Sequence, residues 1–170
     1  TATVRSALKF APLVFVRHKE LRCAEWQEIN FHLSEWRIPA NKMKSGEGHI
    51  VPLSRQAVAI LEEQFKITGH SSIYVFPSAR SVHRPMSDNA ILSAFRNLGI
   101  PKDEMTGHGF RAMARTILDE VLGERIELIE HQLAHAVRDS LGRAYNRTKH
   151  LSQRKEMMQR WADYLDSLAN

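Results

Sequence analysis

Apolar residues recur at helical spacing along most of this chain and lose that rhythm between residues 29 and 53. Val4, Leu8, Ala11 and Phe15 fall three or four apart, which predicts a helix over residues 3–16 with a bend at Pro12. A second helix is expected from Glu20 to Gln27. The stretch INFHLSEWRIPANKMKSGEGHIVPL then shows short alternating or β-branched pieces, Gly46 and Gly48 at a turn, and Pro39 and Pro52 at strand edges. That pattern predicts an antiparallel sheet of about three strands.

Helical periodicity returns at Ser54, a natural N-cap for a helix carrying Val58, Leu61 and Phe65. A loop through Gly69, a strand-like IYVF and a long polar loop, FPSARSVHRPMS, come next. Ser87 is placed to cap a helix whose buried stripe is Ile91, Phe95 and Leu98, ended by Gly99 in the left-handed conformation. A helix starting at Thr106 or Gly107 has a broad apolar face of Phe110, Met113, Ala114, Ile117, Leu118 and Val121, and Gly123 ends it. Another starts near Glu124 and buries Ile126, Ile129 and Leu133. From Lys149 a last helix repeats Met157, Trp161, Tyr164, Leu165 and Leu168, a stripe that either caps its own core or docks on a neighbouring molecule. The expected fold class is mainly α with a small antiparallel β-sheet (α+β).

Composition narrows the class without changing that outline. At 170 residues, 43% hydrophobic and 25% charged, the chain reads as one ordinary globular domain. Lysine and arginine exceed acidic residues by 24 to 19, a net +5, a moderate excess that fits a polyanionic partner. The lone cysteine, Cys23, excludes an intrachain disulfide and suits a reducing cytosol. No run approaches eighteen apolar residues, and TATVRSALKF lacks the pattern of a signal peptide. Beginning without Met and at once in structured-looking sequence, the chain is expected to be a fragment with further DNA-gripping modules upstream.

The chemistry concentrates between His108 and Tyr145. His108 and Arg111, three apart, share one helix face, and imidazole beside guanidinium suits a phosphate. His135 follows, then Tyr145 with Arg143 and Arg147 close by, a basic setting that favours ionisation of the phenol. Upstream, Arg17 stands three residues before Glu20, which is placed to orient it. Lys44 lies at the KSGEG turn, where a hairpin tip can push an ammonium into a DNA groove; Lys42 competes for that role, and spacing does not choose between them. Arg80, His83 and Arg84 make the polar loop a candidate DNA-backbone surface.

Other chemistries fit less well. His131 and His135 share a face, but Gln132 stands where a metalloprotease helix needs Glu, and no Cys or Asp completes a ligand set. No phosphate-cradling glycine loop or nucleophile elbow is present. A helix-turn-helix reader is a structural competitor, yet the helix from residue 106 to 122 is mostly apolar. Taken singly, His108 reads equally as a helix-start cap, His135 as a satisfied buried histidine and Tyr145 as core.

Taken together, the segments VFVRHKELRCAEWQEINF, NKMKSGEGHIVPLS, EMTGHGFRAMARTIL, IEHQLAHAVRDSLGRAYNR and MMQRWADYLDSL resemble the catalytic domain of tyrosine recombinases. The resemblance covers nearly the whole chain and is to the P4-type integrases of bacteriophages and genomic islands. It implies the fold of that catalytic domain, with residues 1–170 a single domain whose arm-binding and core-binding partners lie upstream and residues 149–170 a helix that protomers can exchange. Matched by motif, Arg17 rather than Arg22 resembles the first catalytic arginine, with Glu20 its structural partner. Lys44 matches the hairpin lysine, and His108 and Arg111 the His-x-x-Arg box. His135 matches the later histidine, with Ala134 in place of the commoner glycine, and Tyr145 matches the nucleophile.

The implied reaction is site-specific recombination. Tyr145 attacks a phosphodiester, a 3′-phosphotyrosyl link forms, and a 5′-hydroxyl later reseals it without metal, ATP or other cofactor. The implied partners are double-stranded DNA attachment sites, three further protomers in a tetrameric synapse and accessory DNA-bending proteins. The implied location is the bacterial cytoplasm, at the nucleoid and not at a membrane. Strand relaxation by the same chemistry, as in type IB topoisomerases, and a non-catalytic DNA-binding module are the alternatives.

Overall fold

In the computed structural model, which describes residues 1–106, 108–135 and 150–169, helix α1 (Ala2–Val14) is held on several sides. It buries Ala7, Phe10, Ala11, Leu13 and Val14, and the Thr1 hydroxyl caps its first turn by accepting from the Val4 N–H. The helix ends at Phe15, which is left-handed at φ 35°. The carbonyl of Pro12, left without a helical donor, accepts instead from the Trp161 indole at 2.8 Å.

Helix α2 (His18–Arg22) is much shorter than the expected span to Gln27. The reason lies fifty residues downstream. Val75 donates to the Ala24 carbonyl and Trp26 to the Ile73 carbonyl, both at 2.9 Å, with Glu25 bridged to Tyr74 in antiparallel fashion. The backbone of residues 24–26 therefore bonds to the IYVF piece and cannot also bond along a helix. A 3₁₀ turn, Trp26–Glu28, follows.

The three-stranded antiparallel sheet forms as expected: β1 (Ile29–Asn30), β2 (Glu35–Ile38) and β3 (His49–Pro52), in spatial order β1-β2-β3. Trp36 lies opposite both Ile29 and Val51, and Ile38 opposite His49. Ser54 caps α3 (Arg55–Thr68), its hydroxyl accepting from the Ala57 N–H at 3.2 Å.

Beyond α3 several expectations are corrected. FPSARSVHRPMS is no loop but a hairpin of β4 (Pro77–Ser78) and β5 (Ser81–Pro85). Its prolines stand paired at the open end, where the loss of a ladder donor is tolerated. Helix α4 (Ala90–Asn97) has Asn89, not Ser87, at its N-cap, and Ser87 contributes only its carbonyl, accepting from Ala90. Gly99 is left-handed at φ 82°, as expected at the end of α4, and Gly123, just beyond α5 (Gly109–Glu120), is left-handed too at 64°. Leu98, Val121, Ile126 and Leu168 are exposed, not buried. All four sit at helix ends, where the chain turns away from the core. In α6 (Ile126–Gln132) Leu128 takes the interior place instead.

Helix α7 (Leu151–Leu168) folds onto the chain's own interior with Met157, Met158, Trp161 and Ala162 buried. Two apolar clusters result. One joins α1, the three-stranded sheet, α3 and α4; the other joins α5, α6 and α7 around Phe15. Helix α1 belongs to the first and its terminal Phe15 to the second, so the α1–α2 corner lies at the seam. Among the described residues no helix is long and apolar enough to cross a membrane.

Candidate active site

The seam positions the first arginine. Arg17 is the residue before α2, and its N–H donates to Glu20 Oε2 at 2.8 Å while its Nη1 donates to Glu20 Oε1 at 3.0 Å. Glu20 is buried and caps the helix as well as orienting the guanidinium. Arg22 points elsewhere, donating to the Met86 carbonyl and pairing with Asp88.

Arg111 rises from the first turn of α5 into the same corner. Its Nη1 donates to the Phe15 carbonyl at 2.9 Å and its Nη2 to the Leu133 carbonyl at 2.7 Å. Burial first, and the Arg17 cation next, hold its pKa below the ordinary arginine value; Glu20 and Glu130 act in the opposite direction. The two guanidiniums repel each other across a partly buried corner, a place that an anion relieves.

His135 completes the group. The chain leaves α6 through Ala134, left-handed at φ 50°, a conformation that costs alanine about 1 kcal/mol more than glycine. This explains why glycine suits the position, and the His135 N–H returns to the Glu130 carbonyl at 3.1 Å. The imidazole lies between Glu130, which meets Nδ1, and Arg111, whose Nη2 is 3.4 Å from Nε2. A carboxylate at Nδ1 assigns the proton there and leaves Nε2 facing Arg111. Glu130 is fixed in turn by Arg115 at 2.8 Å. Burial would raise its pKa, but hydrogen bonds from His135 and Arg115 outweigh that and lower it.

His108 stands one turn before Arg111 as the residue preceding α5. Its carbonyl accepts from the Arg111 N–H at 3.0 Å, and its exposed imidazole makes no capping bond. Lys44 is exposed in the turn between β2 and β3. Lys42 is not free in the same way. Its ammonium meets the Cys23 carbonyl at 2.9 Å, Glu25 at 2.6 Å, and Glu28, which uses all three of its hydrogens. Burial would depress its pKa, and the two carboxylates raise it instead.

Arg80, His83 and Arg84 are exposed on the β4–β5 hairpin. Tyr145, Arg143 and Arg147 lie outside the described residues. Among the described residues no group of three or more His, Cys, Asp or Glu side chains is placed to hold a metal ion.

Three side chains behind the site escaped the sequence reading. Arg154 is fully buried, its Nη2 donating to the Ile50 carbonyl and to Gln132 Oε1, both at 2.6 Å. His49 Nε2 is 3.0 Å from the Gln132 carbonyl. The available signal was spacing, because Arg154 precedes Met157 by three and Trp161 by seven and so falls on the buried stripe of α7.

The model of the phage integrase family matches residues 1–151. The chain belongs to the phage integrase family. It is 43% identical over 180 residues to an integrase of Enterobacteria phage P4, covering 98% of this chain and 41% of the relative. It is 40% identical over 165 residues to the prophage integrase IntZ of Escherichia coli K12, covering 97% and 40%. This family member thus spans about two fifths of the length of these relatives. Its fold matches a crystal structure of XerA recombinase with TM-score 0.65 at 16% identity, covering all of this chain and 57% of that one. It also matches the lambda integrase catalytic core with TM-score 0.59 at 22% identity, covering 85% of each.

Proposed function

We propose that this domain is the strand-transfer centre of a site-specific DNA recombinase that integrates or excises a prophage or genomic island. The observation that carries the reading is the meeting of Arg17, Arg111 and His135, from three distant parts of the chain, around one polar corner. Membership of the integrase family and likeness to prophage integrases support the same conclusion.

Arg17 and Arg111 clamp the scissile phosphate and neutralise charge gathering on its non-bridging oxygens. The Tyr145 oxygen attacks phosphorus in line, forming the P–O bond of a 3′-phosphotyrosine as the bond to the 5′-oxygen breaks. Lys44 gives that departing oxygen its proton, and His108 takes up the phenol proton or supports the phosphate. His135, beside Arg111, serves as a further phosphate contact. Ionising a free tyrosine with pKa near 10 at pH 7 costs roughly 4 kcal/mol, which the arginines, the phosphate and a nearby base offset in the transition state. Reversal by a 5′-hydroxyl from another strand reseals the DNA without ATP. Four protomers on two duplexes complete the exchange, with Arg80, His83, Arg84, Arg143 and Arg147 contacting DNA.

The test is incubation with a nicked attachment-site duplex that loses its 5′-hydroxyl fragment on cleavage. A denaturation-resistant adduct attached through Tyr145 is expected, and Tyr145→Phe should bind DNA without forming it. An adduct from the Phe variant would refute the assignment. Relaxation of supercoils without joining of two specific sites would favour a topoisomerase.

A further inference from the structure

The lysine hairpin and the arginine corner are built on separate elements, yet general-acid catalysis needs them in register to within a fraction of an ångström. The hairpin runs from the end of β2 at Ile38 to the start of β3 at His49; Lys42 and the buried Met43 anchor its first half, but the bonds of Ser45, Gly46 and Glu47 stay within the turn. The first two residues of β3, however, are both fastened to the last residue of α6. His49 Nε2 donates to the Gln132 carbonyl at 3.0 Å, and burial keeps the ring neutral with its proton on that nitrogen. The Ile50 carbonyl accepts from Arg154 Nη2, which also donates to Gln132 Oε1, joined there by Nε at 3.1 Å. The next carbonyl along, that of Leu133, accepts from Arg111. One residue of backbone therefore separates the group that holds the hairpin from the group that holds the second arginine.

The composition of this knot is unusual for a purely structural one. Arg154 and Gln132 are fully buried, and no carboxylate meets the guanidinium among the described residues. A cation so placed gains little stability for its desolvation, and apolar side chains would fill the same space as well or better. What it does supply is geometry, because a planar fork can hold a strand carbonyl and a helix-end amide at one fixed angle.

We infer that Arg154, Gln132 and His49 are positioning residues that set the Lys44 hairpin against the arginine corner, so that the lysine reaches the leaving 5′-oxygen. The inference rests on the reading of Lys44 as the proton donor. It predicts that damage to the knot falls on leaving-group protonation while the arginine clamp keeps working.

The experiment compares cleavage of two duplexes, one with the ordinary 5′-oxygen at the scissile bond and one with sulfur in that bridging position. A thiolate leaves without a proton, so the sulfur substrate removes the need for a general acid. Arg154→Met alone leaves Gln132 without its partner, so Arg154→Met/Gln132→Leu, which removes donor and acceptor together, serves as the second variant. Folding of each is checked by thermal melting, and Lys44→Ala provides the calibration. The expected result is a loss of about a hundredfold on the oxygen substrate, a loss of less than about threefold on the sulfur substrate, and the same contrast for Lys44→Ala. Partial recovery on the oxygen substrate in Arg154→Lys would support the positioning role. Equal losses on both substrates in a folded variant would overturn the inference, as would near-normal cleavage of both. If Lys44→Ala itself shows no contrast between the substrates, the underlying assignment of the proton donor fails, and the inference falls with it.

Discussion

Arg111 Nη1 donates to the carbonyl of Phe15 at 2.9 Å, two residues before Arg17. The second arginine is thus hung on the backbone that carries the first. Leu133 supplies the other anchor at 2.7 Å, two residues before His135. A single guanidinium ties together the α1–α2 corner, α5 and the end of α6.

Arg111→Lys should therefore harm both stability and chemistry. An ammonium has no fork with which to span the Phe15 and Leu133 carbonyls, and leaving one half-buried acceptor unpaired costs about 1–2 kcal/mol. Cleavage should fall by roughly a hundredfold or more at saturating DNA, as expected when a donor at a developing charge is lost. Urea denaturation and covalent-adduct kinetics on the same preparation separate the two effects, and an unaffected cleavage rate would refute the clamp.

Arg17 and Arg22 provide an internal contrast. Arg17 is oriented by Glu20 and its charge is felt by Arg111, while Arg22 is spent on Met86 and Asp88. Arg17→Lys should abolish adduct formation to within about a hundredth of the parent rate. Arg22→Lys should retain most of it. The reverse pattern would favour Arg22 over Arg17 as the phosphate-binding arginine.

Lys42 and Lys44 should separate stability from activity. Lys42 neutralises Glu28, which is 7% exposed and also accepts from the Trp36 indole at 3.0 Å. Removing the ammonium in Lys42→Met should cost about 2 kcal/mol, less than for a fully buried pair because the lysine keeps some exposure. Cleavage per folded molecule should survive. Lys44→Ala should change stability by under about 0.5 kcal/mol, as for an exposed residue, and lower cleavage of an ordinary phosphodiester by about a hundredfold or more. Loss of activity in a folded Lys42→Met would reverse the assignment.

Acid should destabilise the fold through His49. Burial first, then the Arg154 cation, pushes its pKa down from 6.5 to about 3, with His131 and Arg111 adding to the effect and the bond to Gln132 opposing it. The unfolded chain protonates this residue near pH 6.5 while the folded one does not, so its contribution is complete above that pH. It is lost as pH falls toward 3. At pH 5 the loss is about 2 kcal/mol. His49→Gln, which can still donate to the Gln132 carbonyl, should show a smaller drop in unfolding free energy between pH 7 and pH 5 by about that amount. Identical drops in parent and variant would show that His49 is protonated in the native state.

Neighbours in sequence announced much of this protein. Helical periodicity located α1, α3, α5 and α7 because each must bury one face. Short alternating pieces between prolines and glycines located the three-stranded sheet. The Arg17–Glu20 pairing was readable because three residues is one helical turn, and so was the left-handed Gly99. Other features required contacts between residues far apart in the chain. Helix α2 stops at Arg22 because residues 73–75 claim the backbone after it. Lys42 is tied down because Glu25 and Glu28 come round to meet it from seventeen and fourteen residues away. Spacing puts Arg154 on the buried stripe of α7, but only packing against β3 and α6 shows which groups its fork holds. Local spacing carries information about bonds within a turn or a strand pair; which charges meet across the fold depends on how the two apolar clusters close around Phe15.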